Sequence, residues 1–154
     1  MNKSLVGSIN SAAAVVLDPG ETVQVVASAM VGQVSAKKTI VAAAAVGVLT
    51  GGALTALVTP KKLYVVLTER RLVFLEGEKI GGKAKPVIYM EFPRSAVETV
   101  STRTKRAVLV VPTLVAEFAI AGSEKGLKLQ FPTVCRGEGQ EIADALSVGA
   151  RGSL

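Results

Sequence analysis

The sequence predicts a mainly β domain, a closed barrel or sandwich of short strands with a helix at each end. Three observations carry this. Apolar and polar residues alternate with a period of two over much of 62–131. Turn-forming clusters of Gly, Pro, Asp and Ser separate those runs. Helical spacing of apolar residues is clearest near the two ends of the chain. The 154 residues suffice for one domain with a real core and are too few for two.

Leu5, Ile9, Ala13 and Val16 recur at helical spacing, with Ser8, Asn10 and Ser11 largely on other faces, so a short amphipathic helix fills 2–16. Asp18, Pro19 and Gly20 stop it, because proline fixes one dihedral and glycine accepts a positive one. Val23, Val25 and Val26 mark a first strand over 22–30. Leu63, Val65 and Leu67 share one face of a second strand. A tight corner at Thr68, Glu69 and Arg70 then leads into Leu72, Val73, Phe74 and Leu75. A loop rich in glycine and lysine occupies 77–86. Ile88, Met90 and Phe92 alternate with Tyr89 and Glu91 in the next strand, which Pro93, Arg94 and Ser95 end. Further short strands follow at 97–104, 108–111, 114–120 and 127–131. Ile142, Ala145, Leu146 and Gly149 then recur at i, i+3, i+4 and i+7, predicting a closing amphipathic helix over 138–148.

One stretch breaks the pattern. Residues 40–58 are Ala, Val, Leu, Ile and Gly with only Thr50 and Thr55 polar, flanked by Lys37 and Lys38 before and by Lys61 and Lys62 after. Length and flanks match a membrane-spanning helix, but the adjoining Gly51 and Gly52 weaken a helix by about 1 kcal/mol each. A single crossing would also place the first strand and the strands after Lys62 on opposite sides of a bilayer. A hairpin turning at Gly51 and Gly52 keeps both ends together, and its arms of about ten residues reach only about 15 Å. Ala43, Gly47 and Gly51 form a small-x-x-x-small ridge that lets helices approach closely. Burial against a second copy, contact with a membrane, and a disordered loop are the three fates open to the segment.

The turn and strand "LDPGETVQVVAS" (17–28), the hairpin "KLYVVLTERRLVFLEG" (62–77), the loop "GGKAKPV" (81–87) and "EFPRSAVETV" (91–100) together resemble bacterial domains of the pleckstrin-homology superfold. The Ala- and Gly-rich insert is similar to those of actinobacterial members. With the last helix, the resemblance covers about two thirds of the chain. It implies a seven-stranded barrel or sandwich capped by a C-terminal helix, and binding rather than chemistry. On this reading 1–17 is an N-terminal helix, 18–148 the domain with its insert at about 33–60, and 149–154 a flexible tail.

Composition narrows the function. Eighteen Lys and Arg against twelve Asp and Glu give a net charge of +6. Residues 1–60 account for +1 of this and 61–154 for +5. Such an excess favours acidic partners. There is no histidine, the commonest general base and metal ligand, and Cys135 is the single cysteine, so no internal disulfide forms. Ser35 and Lys38 have an S-x-x-K spacing with no companion motif, and Glu117 is a lone carboxylate read as an outward edge or interface residue. The expectation is a non-catalytic scaffold without cofactor, metal or evident small-molecule substrate. It is expected in the cytoplasm, either free or at the inner face of the cell membrane, as a homo-oligomer, on an anionic membrane surface, or both. Ala43, Gly47, Gly51 and Gly52 are the candidates for packing and turning. Lys79, Lys83 and Lys85, beside Gly77, Gly81 and Gly82, are the candidates for anionic contact, and the basic Arg70, Arg71, Arg103, Lys105 and Arg106 extend them. The rival is a nucleic-acid-binding small barrel, with Tyr64, Phe74, Tyr89 and Phe92 as stacking groups.

Overall fold

The computed structural model describes residues 1–35, 56–80, 82–106 and 112–147. Helix α1 spans Lys3–Val16. The Asn2 side chain caps it by accepting the Ser4 N–H at 2.8 Å. It ends at Leu17, which turns extended, and Gly20 with φ 82° completes the turn that the Asp-Pro-Gly cluster predicts.

Seven strands follow among the described residues: β1 (Val23–Ser35), β2 (Lys61–Thr68), β3 (Arg71–Gly77), β4 (Ala84–Pro93), β5 (Val97–Arg106), β6 (Pro112–Ile120) and β7 (Lys125–Phe131). Helix α2 (Arg136–Ala145) closes the described chain. The strands form one antiparallel sheet in the order β4-β3-β2-β1-β7-β6-β5. β1 is the seam. Its residues Val23 to Val31 pair with β2, and Met30 to Ser35 pair with β7.

The expected closure of the barrel does not occur among the described residues, because no ladder joins β4 to β5. A helix stands in for it. The Thr99 N–H donates to the Leu146 carbonyl at 3.0 Å, and the Thr99 hydroxyl donates to the Ala143 carbonyl at 2.7 Å. Thr99 of β5 thus bonds to the C-terminal turn of α2. The Arg94 guanidinium donates to the Ala145 carbonyl at 3.3 Å and to the Thr68 carbonyl at 3.2 Å, tying the negative end of α2 to β2.

Both faces of the β1–β3 region are buried. Leu63, Val65, Leu67, Leu72, Phe74 and Phe92 join Phe118, Phe131 and Ile142 in the main core under α2. On the opposite face Tyr64, Val66, Val73 and Leu75 meet Ile9, Ala12 and Ala13 of α1. Leu5 and Val16 pack at the margin of that cluster, so the four residues read as the apolar stripe of α1 are its buried side. Covering a face of aliphatic side chains is worth about 2 kcal/mol per fully buried residue.

Glu117 is corrected from an edge position to a central one. β6 lies between β5 and β7, and the Glu117 side chain is buried, within 3.6 Å of the Arg103 guanidinium and 3.4 Å of the Ser101 hydroxyl. The strand expected at 108–111, Lys38, and most of the 40–58 insert with Ala43, Gly47, Gly51 and Gly52 lie outside the described residues, as do Gly149 and the tail. A 3-10 turn at Ala56–Val58 leads back into β2.

Candidate functional site

Strand direction decides which loops share an end. β1 runs antiparallel to β2 and to β7, and β2–β3–β4 continue the alternation. The last residue of β1, the first residue of β2, the β3–β4 loop and the β6–β7 turn therefore lie at one end of the sheet. The β2–β3 corner lies at the other.

At the first end the β3–β4 loop is pinned at its base. The Glu78 N–H donates to the Lys83 carbonyl at 2.8 Å, and the Tyr64 hydroxyl donates to the Gly82 carbonyl. Gly82 has φ 65°, a conformation that favours glycine. A Cβ on Gly77 would stand 3.0 Å from the Tyr64 ring, so glycine there makes room for the tyrosine. Burial, and then the negative charge of Glu78, raise the Tyr64 pKa and keep it a neutral donor. The Ser8 hydroxyl of α1 accepts the Ala84 N–H at 3.0 Å. Between α1 and this loop runs an open groove of about 440 Å³, lined in part by Ser4, Gly7 and Ser11 on one side and by Glu78, Lys83 and Pro86 on the other.

Lys79 and Lys83 leave this loop exposed, and Lys85 is half-buried at the start of β4. The register adds two lysines that sequence reasoning placed only as flanks of the insert. Lys61 and Lys62 begin β2 beside the end of β3, and alternation sends them to opposite faces. Lys61 lies 3.6 Å from Glu76 and 4.4 Å over the Tyr89 ring, and Lys62 lies 5.8 Å over the Tyr64 ring. Lys61, Lys62, Lys79, Lys83 and Lys85, with Lys125 at the start of β7, thus lie with Glu76, Glu78 and Glu124 at the end of the sheet where β1 finishes and β2 begins.

Comparison with protein-family models and with curated protein sequences finds no match. The geometry is therefore the ground for a functional reading.

The other basic candidates, Arg70, Arg71, Arg103, Lys105 and Arg106, do not extend the patch. Arg70 and Arg71 sit at the opposite end of the sheet. Arg71 is clasped by Glu21 at 2.8 Å and by Glu91, and Arg70 lies 3.9 Å from Asp18. The Glu21 side chain is wholly buried, and it also accepts the Thr68 hydroxyl at 2.7 Å. The Arg71 guanidinium holds the Glu21 carboxyl down at about 2, with Thr68 assisting and burial opposing. This cluster joins the Asp-Pro-Gly turn to β2, β3 and β4. Arg103, Lys105 and Arg106 line the exposed half of β5, away from the lysine loop.

The stacking groups expected of a nucleic-acid binder are mostly inside. Tyr64, Phe74 and Phe92 are fully buried, with Phe74 and Phe92 edge to face at 6.2 Å, while Tyr89 is partly buried under Lys61. Cys135 is a buried thiol whose Sγ lies 3.4 Å from the Met1 Sδ. Among the described residues no three metal-ligating side chains cluster, and no helix is long and apolar enough to cross a membrane.

Proposed function

We propose that this chain is a non-catalytic binding module of pleckstrin-homology type that docks on an anionic membrane surface through the lysine-bearing end of its sheet. The observation that carries the reading is the placement of Lys61, Lys62, Lys79, Lys83 and Lys85 at the end of the sheet where β1 finishes and β2 begins, with the apolar run of the sequence between those two strands. Each lysine close to a charged bilayer surface contributes about 1 kcal/mol, and the apolar segment adds a term that salt does not screen. Support for the fold type comes from the strand order, from β1 serving both halves of the sheet, and from a C-terminal helix over the open side.

Burial of Tyr64, Phe74 and Phe92 weighs against the nucleic-acid reading, since a base needs an open aromatic face. The ridge at Ala43, Gly47 and Gly51, with the turn at Gly52, serves either bilayer contact or packing on a second copy. Flotation of the full chain with anionic liposomes separates these. Floating at both low and high salt means that the segment enters the bilayer. Floating only at low salt means that the lysines hold the chain by charge. Failure to float at either salt removes the membrane reading and leaves self-assembly, which Gly47→Leu with Gly51→Leu then disrupts.

A further inference from the structure

Among the described residues the most exposed large apolar side chain stands in the lysine loop. Ile80 is 88% exposed, between Lys79 on one side and Gly82 and Lys83 on the other. Loop apices ordinarily carry Gly, Asn, Asp or Ser, which suit turns and water alike. An exposed aliphatic residue standing alone needs no explanation. Ile80 does not stand alone. Val58, 75% exposed, lies three residues ahead of β2 at the same end of the sheet.

The loop is also built to present its tip. Its base is closed by the Glu78 to Lys83 backbone bond, and the buried Tyr64 ring anchors Gly82 from below. A loop closed at its base loses less conformational freedom on docking than an open one, which favours an interface that takes one side chain at its tip. Lysines beside an aliphatic tip fit a bilayer, because ammonium groups stay among anionic headgroups while the aliphatic chain reaches the acyl boundary. A nucleic-acid phosphate would satisfy the lysines and leave Ile80 in water.

Resting on the membrane reading above, we propose that Ile80 is a wedge that enters the interfacial layer of an anionic bilayer, with Lys79 and Lys83 gripping headgroups beside it. The chain contains no tryptophan, so Ile80→Trp provides a single fluorescent reporter at the tip. Val134→Trp serves as its control, since Val134 is 65% exposed and follows β7 at the opposite end of the sheet. Both variants are mixed with phosphatidylcholine vesicles containing phosphatidylserine. The emission of the residue-80 reporter is expected to shift to the blue and to be quenched by brominated acyl chains, while the residue-134 reporter stays water-like. Ile80→Asn is expected to fold normally and to partition about tenfold more weakly, the loss of most of one buried aliphatic side chain. A chain that floats while its residue-80 reporter stays water-like overturns the wedge and leaves charge attachment standing. Equal responses from both reporters also overturn it, as unspecific adsorption. A chain that does not float overturns the wedge together with the reading it rests on.

Discussion

Arg71 stands between Glu21 and Glu91, and its position converts a local turn into a joint between three strands. Glu21 lies fifty residues away in the chain, yet its side chain is wholly enclosed and bonded to Arg71 and Thr68. Its carboxyl titrates at about 2 in the fold against an ordinary 4.5. A depressed carboxyl pKa stabilises the fold fully above the unfolded value, and the contribution disappears as pH falls from about 4.5 towards 2. Glu21→Gln is therefore expected to cost about 2 kcal/mol at pH 7 and to flatten the fall of stability across that acid window. Urea unfolding at pH 7 and at pH 3 measures both; an unchanged acid slope would show that other carboxylates set it. Arg71→Met leaves two carboxylates facing each other, one of them buried, and is expected to cost about 3 kcal/mol at pH 7. Restoring part of that loss by adding Glu21→Gln, in a double-mutant cycle, would place the coupling in this pair.

Helix α1 and strand β7 show how one residue type carries opposite constraints in different elements. A Cβ on Gly7 would meet nothing within 4 Å, on an outer part of α1. Gly7→Ala is expected to stabilise the chain by about 0.5 to 1 kcal/mol through helix propensity. A Cβ on Gly126 would come within 2.4 Å of the Phe118 carbonyl oxygen, and one on Gly139 within 2.6 Å of the Phe131 ring. Gly126→Ala must separate β7 from β6, and Gly139→Ala must lift α2 from β7, each at a cost of about 2 kcal/mol. Thermal unfolding of the three variants gives the comparison; a stabilised Gly139→Ala would mean that α2 sits more loosely than the packing implies. The elements were legible because alternation and turn clusters are local signals: Ile88, Met90 and Phe92 set the face of β4, and Leu5, Ile9, Ala13 and Val16 set that of α1. The partner of α1 was legible only in part. Tyr64, Val66, Val73 and Leu75 made β2 and β3 apolar on both faces, which announces a second cover without naming it. The lysine loop was legible as a loop. Its meeting with Lys61 and Lys62 required the pairing register, which no single segment encodes. The Glu21–Arg71 joint was invisible for the same reason.

At the scale of the whole molecule, α1 is a structural layer rather than an appendage. It covers the face of the sheet that α2 does not, and the Met1 amino group reaches Glu138 of α2 at 3.6 Å. Ile9→Ala removes a fully buried side chain from beneath that layer and is expected to cost about 3 kcal/mol. Dye binding to exposed apolar surface should rise with it, whereas a merely peripheral helix would leave both dye binding and melting temperature unchanged. The long first strand bears on synthesis as well as on stability. One of its edges is satisfied once β2 has been made, but the other waits for β7, whose last residue is Phe131. Between the completion of β4 at Pro93 and that of β7, a ribosome must add 38 residues, which takes roughly 2 to 8 seconds at 5–20 residues per second. During that interval the nascent chain displays an unpaired strand edge with the residues Val31 and Val34 along it. The half-made sheet is thus the form of this protein most exposed to mispairing with its neighbours on a polysome, and the pace of translation through β5 and β6 becomes a determinant of its yield.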